Sequence, residues 1–594
     1  MIEIKTKNAR PKLWLAMTVV LAALAGMHFL DARAGVLESG DTWLLGRYLA
    51  VAAIGIGGSV LLGWMLLWGP KSGRRWGTAP EKTAAGEGKR EERVLIRRGC
   101  PVEKVFLVSS LLFGMLSLYV LPALSAPDEV RHYISAYQLS NRIMGLPAVG
   151  EDGKVPVREE DWFAEDSCRD FKPYVTADGA LATDAEGAED AKVLGQMLTE
   201  ETYGLLHEKG LTWDEPRTGT VGTTEEGTAE ATGVGNGIAY SNHHPVVTTP
   251  VAYLAPALGI TLARLLDLNS VGLLFLGRFF NLLLFVGMTY LALRKLPFGK
   301  EVLYGVTLLP MVVHLSASYS YDVLIMAGIF YFTAYCLYLA YAADRVRPVD
   351  ILILAVLMAA VGPCKMVYTV FMGLCLLIPV KKFGNWGKWA LAAGCVLGAW
   401  AIVMVVINGQ TVASYATETE NFIDWAQEPG FSMALLIHQP VRTLQIFYNT
   451  LIWQAETYHL TMLGAYLGNV DLVLDVPYIV LLFFTFGLIG LTLRKPGENL
   501  MLTGGKRWWI WFLCLLCAGA TCASMLLAWT PISSRTISGV QGRYFLPFLP
   551  VLLMTWKNDL VVLTKDPSRT ILYLMCCGQS FVWFRLFAIV CMRL

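Results

Sequence analysis

Repeated apolar stretches of about 20 residues constrain this chain more than any other feature. Each is long enough to cross a hydrocarbon core of roughly 30 Å, and backbone inside that core must satisfy its own hydrogen bonds, as a helix does. Of 594 residues, 55% are hydrophobic and only 16% charged. A soluble domain of this length carries more charge, so the expected fold class is an all-α polytopic membrane protein.

The net charge of +1 hides a strong segregation. Residues 69–104 hold ten Lys/Arg against five Asp/Glu, whereas 151–240 hold 21 acidic against seven basic residues. Positive-inside asymmetry puts the first stretch in the cytoplasm and the second, one helix later, outside. The N-terminus has a basic start, an apolar run and an "ARA" that fits a signal peptide. The run 13–30 is long for a signal core and a second apolar run follows at once, which favours an uncleaved anchor. The 12 cysteines suggest no disulfide framework. Cys168 has no evident partner, and Cys514-x-x-Cys517 lies in an apolar run, where cysteine acts as a small hydrophobe.

One segment decides the topology. "PVVTTPVAYLAPALGITLARLL" (245–266) is long enough to cross, but if it did, the basic loops 294–300 and 344–350 would lie outside. If it lies on the outer surface or dips in and returns, those loops and 381–388, 494–507 and 557–569 all fall inside. With that choice, crossings are expected near 13–30, 44–68, 104–124, 271–293, 301–318, 322–343, 350–362, 366–380, 388–408, 473–493, 508–529, 541–556 and 570–590, about 13 in all. The chain divides into an N-terminal two-helix module with a basic loop (1–103), a transmembrane core (104–560) and a last helix (561–594). External regions are expected at 125–245, containing surface helices, and at 409–470, with a surface or re-entrant helix around "RTLQIFYNTLIWQ".

This topology, set by basic loops, gathers an unrelated group of polar residues on the outer face. They are Asp128, Glu129 and His132; His243 and His244; Asp322; Lys365; Glu456, Tyr458 and His459; and Arg543. Ser125-x-x-Asp128 fits a helix capping box, with Pro127 in the first turn, and a helix also places Asp128 and His132 on one face. Asp322 suits either a helix cap or a functional role. Charge within a span costs roughly 2.5–3.5 kcal/mol at its centre and marks sites, so Lys365 is either a snorkelling interface residue or a site residue. Lys365 and Arg543 together suit a lipid phosphate, Arg with a bidentate grip.

In order along the chain, "APDEVRHYISAYQLS", "HHPVVTTPVAYLAPALG", "GRFFNLLL", "SASYSYD", "KMVY" and "QGRYFLPFLP" resemble the bacterial membrane-protein family catalogued as domain of unknown function 2142. More distantly, the arrangement resembles the GT-C superfamily of membrane glycosyltransferases. The matches run from about residue 104 to 560, with "VVTT" where the family tends to have prolines and tyrosines. The resemblance implies an inverting transfer of a sugar from a polyprenyl-phosphate donor to a cell-envelope glycan or lipid-linked acceptor, on the outer face of a bacterial plasma membrane. It implies Asp128 or Glu129 as catalytic carboxylate, with Asp128 the first choice, and substrate contacts from His132, Tyr137, His244, Asp322, Lys365, Tyr368, Arg543 and Tyr544. Partners would be the donor, the acceptor and membrane lipids, not nucleic acid. A divalent cation (Mg or Mn) is used by some members of the superfamily and not by others, so the metal stays open. A transporter or flippase, and a polymerase or ligase of lipid-linked glycans, are the competing expectations.

Overall fold

A computed structural model describes residues 9–38, 43, 45–69, 100–121, 123–158, 161, 238–241, 243–416, 422–423, 425–468, 474–499 and 502–591, with two-residue strands at 174–175, 181–182 and 192–193. The basic stretch 70–99, Cys168 and most of the acidic stretch lie outside the described residues. In chain order the helices are α1 (Ala9–Glu38), α2 (Leu45–Leu67), α3 (Val102–Val120), α4 (Glu129–Ile143), α5 (Leu254–Leu265), α6 (Ser270–Lys295), α7 (Lys300–Thr307), α8 (Pro310–Ser316) and α9 (Asp322–Tyr341). They continue as α10 (Pro348–Val361), α11 (Trp386–Ala416), α12 (Met433–His438), α13 (Pro440–Leu463), α14 (Tyr478–Thr492), α15 (Gly505–Trp529), α16 (Leu549–Met554) and α17 (Ser568–Cys591). The chain is an all-α polytopic membrane protein by this architecture. Among the described residues, eight helices are long and apolar enough to cross a membrane, namely α1, α2, α3, α6, α9, α11, α15 and α17.

The other five expected crossings are shorter or broken, for local reasons. Pro310 opens α8 and cannot donate to the preceding turn, so 301–318 divides into α7 and α8. Helices α10 and α14 have 14 and 15 residues. The stretch 541–556 forms a 3-10 turn, Gly542–Phe545, then the six-residue α16, with Pro547 and Pro550 between and within them. Met366–Leu377 is a 3-10 helix of 12 residues, well beyond the three or four usual for that geometry. Its buried side chains, Tyr368, Phe371 and Leu374, fall every third residue, matching three residues per turn, and Phe371 stacks on Phe548 with centroids 5.7 Å apart.

Helix α9 forms the centre. It is apolar all round and buried on nearly every side, as a helix enclosed by others should be. Missing Cβ atoms let its neighbours approach, since a methyl on Gly328 would lie 2.4 Å from Val361 of α10. Helices from the two flanks of the sequence, α1 and α2 from one and α17 from the other, pack on each other. Gly55 of α2 sits under the Phe584 ring of α17, and Ser59 and Ser580 hydrogen-bond at 2.8 Å.

The decisive segment 245–266 forms a 3-10 turn, Pro250–Tyr253, and then α5. Pro256, Ala257, Ile260 and Ala263 are buried, whereas Val251, Leu254, Leu258, Leu262 and Leu265 form an exposed apolar stripe. The segment is thus a short helix with one apolar face open, and it is not among the eight long spans. A helix does form around "RTLQIFYNTLIWQ": α13 contains it, with Val441, Leu444, Tyr448, Leu451 and Trp453 exposed.

Candidate functional site

Two turns at one end of the bundle carry the two carboxylates of interest, and a buried polar knot fixes them together. Glu129 is fully buried, and its carboxylate accepts the backbone N–H of Ala126 (2.9 Å) and of Tyr319 (2.9 Å). Arg278 of α6 lies 3.7 Å from Glu129 and donates to the carbonyls of Ala317 (2.7 Å) and Leu121 (3.1 Å). Asn281, one helical turn on, donates to the carbonyls of Ser318 (2.7 Å) and Ser320 (3.2 Å). Leu121 and turn 317–322 are thereby tied to α6, and Glu129 ties turn 123–128 to turn 317–322. Glu129 spends both oxygens on this structure.

Asp128 is presented differently. It occupies the left-handed region (φ 57°, ψ 19°) one residue before α4, and its side chain is 66% exposed. The expected capping box is not the one observed, because Asp128 makes no side-chain cap bond and Glu129 reaches back to Ala126 instead. Left-handed backbone in a non-glycine residue costs energy, and Asp and Asn tolerate it best. The turn therefore points an aspartate outward where its neighbour is locked inward.

Arg543 brings the pieces together. Its guanidinium is 3.8 Å from the Asp128 carboxylate and 3.4 Å from that of Asp322, and Lys365 Nζ lies 4.0 Å from the other Asp322 oxygen. Lys365 also sits over the Tyr544 ring at 3.5 Å and near the Tyr321 ring at 5.6 Å, so its charge is held by two aromatic faces as well as a carboxylate. Backbone bonds seat Arg543 from both sides. Gly542 N–H donates to Thr461 Oγ1 of α13 (2.8 Å), and Tyr368 of the long 3-10 helix donates its hydroxyl to the Tyr544 carbonyl (2.8 Å). Arg543 is buried, yet its Nε has no hydrogen-bond partner among the described residues. That leaves a donor for an anion.

His132, in the first turn of α4, places Nδ1 2.7 Å from the Tyr253 hydroxyl and packs edge-on against Tyr321 at 4.7 Å. Burial lowers its imidazole from 6.5 to about 4, against the raising effect of Asp128 and Asp322. His132 is therefore a neutral hydrogen-bonding group near pH 7. The donor set does not suit a divalent cation. Among the described residues no three His, Cys, Asp or Glu side chains converge on a metal site, and both carboxylates of the cluster already face Arg543 or Lys365.

Of the residues singled out from sequence, Asp128, His132, Asp322, Lys365, Tyr368, Arg543 and Tyr544 meet here, and Glu129 supports them. Tyr137 does not join them. It donates to Asp161 (2.7 Å), accepts from Arg158 N (3.1 Å) and lies under Arg264, in a network that ties Arg158 and Asp161 to α4 and α5. His244 is exposed beside Gly153, and His459 bonds Thr485 at 3.0 Å. The sequence reading missed Tyr253, Tyr321 and Thr461 as site-building residues. Tyr253 stands in the very segment whose irregularity set the topology, but nothing in its spacing announces His132 as its partner.

A family model described as "Predicted membrane protein (DUF2142)" matches residues 224–552. The chain belongs to that family. No curated protein and no solved structure matches it. The DUF2142 match includes Asp322, Lys365, Tyr368, Arg543 and Tyr544 and begins after Asp128, Glu129 and His132. Asp128 and His132 thus reach the DUF2142 part of the cluster from the stretch before the match, which covers less than the 104–560 span of the motifs.

Proposed function

We propose that this DUF2142 protein is an inverting, GT-C-like glycosyltransferase moving a sugar from a polyprenyl-phosphate donor to a glycan or lipid-linked acceptor at the outer face of the plasma membrane. The observation that carries the reading is the cluster itself: an exposed aspartate beside two buried or half-buried cations, assembled from four separate segments at one end of an apolar bundle. Glycosyl transfer from a phosphate needs those groups. Asp128 takes the proton of the acceptor hydroxyl as its oxygen attacks the anomeric carbon from the face opposite the phosphate. The bond from that carbon to the phosphate oxygen breaks, and its electron pair leaves with the polyprenyl phosphate. Lys365 and the spare Nε of Arg543 hold the charge that develops there, so no second carboxylic acid is required, in contrast to glycoside hydrolysis. Asp322 orients both cations, and His132 with Tyr253 offers neutral hydrogen bonds to a sugar. In this reading the eight long helices and five short or broken segments make 13 passes, with the cluster outside.

The test is transfer by the purified full chain in lipid nanodiscs, supplied with polyprenyl-phosphate sugars and cell-envelope glycans. The expected product has inverted anomeric configuration, and Arg543→Met and Lys365→Met raise the KM for donor. No transfer from any such donor, together with movement of the lipid-linked sugar across the bilayer, would replace this reading with a flippase.

A further inference from the structure

Beside the cluster lies a cleft of about 240 Å³ that the mechanism above does not use. One wall is the face of α4 that carries Ser135, Gln138 and Arg142, spaced as successive positions of one helical stripe. The loop 245–250 and Tyr253 form a second wall, and Ile407 of α11 closes the third side. The walls are fixed, because the Ser135 hydroxyl accepts Val246 N–H at 2.8 Å and so pins the loop to α4. Tyr253 is the link to the cluster: it is 3% exposed, lines the cleft and bonds His132 in the first turn of α4, four residues after Asp128.

The chemistry of the lining selects a ligand class. Hydroxyl and amide groups from Ser135, Gln138, Thr248 and Tyr253 alternate with aliphatic surface, the mixture that binds the hydroxyls and C–H faces of a sugar. Among the described residues no carboxylate lines the cleft, its one charge is Arg142, and Arg142 is exposed and makes no ion pair. The volume falls slightly below the roughly 300–1,000 Å³ of drug-sized ligand pockets, so it suits one terminal unit, not a whole oligosaccharide. We infer that this cleft seats the acceptor, the hydroxyl-rich terminal unit of an anionic glycan, with Arg142 on its phosphate or carboxylate. The identity of the occupant as acceptor rests on the transferase reading; its occupancy by a sugar phosphate does not.

Val247 lies at the rim and is 82% exposed, which makes it a reporter. In a full-length chain with Cys168→Ser and Val247→Cys, held in phosphatidylcholine nanodiscs, labelling by a charged maleimide is followed against the same chain lacking the new cysteine. Millimolar glucose 6-phosphate is expected to slow labelling several-fold, glucose or inorganic phosphate alone much less, and Arg142→Ala to remove the difference. Equal rates with and without glucose 6-phosphate overturn the seat, whatever the transfer assay gives. The same slowing by phosphatidylglycerol nanodiscs without sugar phosphate also overturns it, because the cleft is then a lipid-headgroup site. Where transfer is measurable, Gln138→Trp raises the KM for acceptor and leaves that for donor; the opposite split overturns the assignment of the two substrates.

Discussion

At the scale of single residues, two adjacent carboxylates have opposite fates, and local backbone decides which is which. Asp128 is exposed on a left-handed turn, whereas Glu129 is buried under two N–H donors and an arginine. Asp128→Asn keeps a residue that tolerates this backbone, so the protein folds while transfer falls by about 10²–10⁴-fold. A variant that transfers at the wild-type rate rules Asp128 out as the base. Glu129→Ala instead orphans Arg278 and two amides, a loss on the order of 3–5 kcal/mol, read as a lowered melting temperature. His132 adds a pH dependence of definite sign. Its folded value of about 4 lies below the ordinary 6.5, so the unfolded chain binds the proton first as pH falls. Stability is full above pH 6.5 and declines by up to about 3 kcal/mol towards pH 4, and His132→Gln removes that share. Melting curves of both chains between pH 7 and 4.5 check this, and parallel pH dependence would sink it.

At the scale of elements, the position of Arg543 depends on two neighbours that share no sequence motif with it. A Cβ on residue 542 would lie 1.8 Å from the Tyr458 carbonyl oxygen and 2.5 Å from Met462 N, so α13 can approach only a glycine there. Gly542→Ala therefore pushes the 3-10 turn off α13 and moves Arg543. Donor KM rises in that variant more than in Tyr368→Phe, which loses one hydrogen bond worth about 1 kcal/mol. Unchanged donor KM in Gly542→Ala, with the protein folded, contradicts the seating. These dependences mark the limit of what the sequence conveys. Asp128, Asp322, Lys365 and Arg543 were legible because charge is conspicuous in an apolar chain, and basic loops put them on one face. The long 3-10 helix and the break before Pro310 were not: uniformly apolar stretches carry little periodicity, and Tyr253, Thr461 and Gly542 matter only through tertiary partners.

At the scale of the whole molecule, the bundle has two chemically different ends. The cluster end presents an exposed carboxylate, Asp128, beside the buried Arg543 and the half-buried Lys365. At the other end charges neutralise one another, with Lys495 buried between Glu301 (3.1 Å) and Asp566 (3.8 Å), Lys557 on Glu498, and Lys300 3.7 Å from Glu103. Those pairs join the loops 494–499 and 557–566 to α7, and α7 to α3; the wider stretches 494–507 and 557–569 hold four and three basic residues against one and two acidic ones, the excess that favours the cytoplasm. Because α9 runs from Asp322 to Tyr341 between these ends, the sidedness of one end fixes the other. Glu151 is exposed near the cluster end, and Leu560, 93% exposed, tips the opposite loop. In bacterial cells expressing a Cys168→Ser chain, Glu151→Cys should react with a membrane-impermeant maleimide before lysis, and Leu560→Cys only afterwards. The reverse order would invert the molecule in the membrane, place the cluster in the cytoplasm and make nucleotide sugars, not lipid-linked ones, the donors to test first.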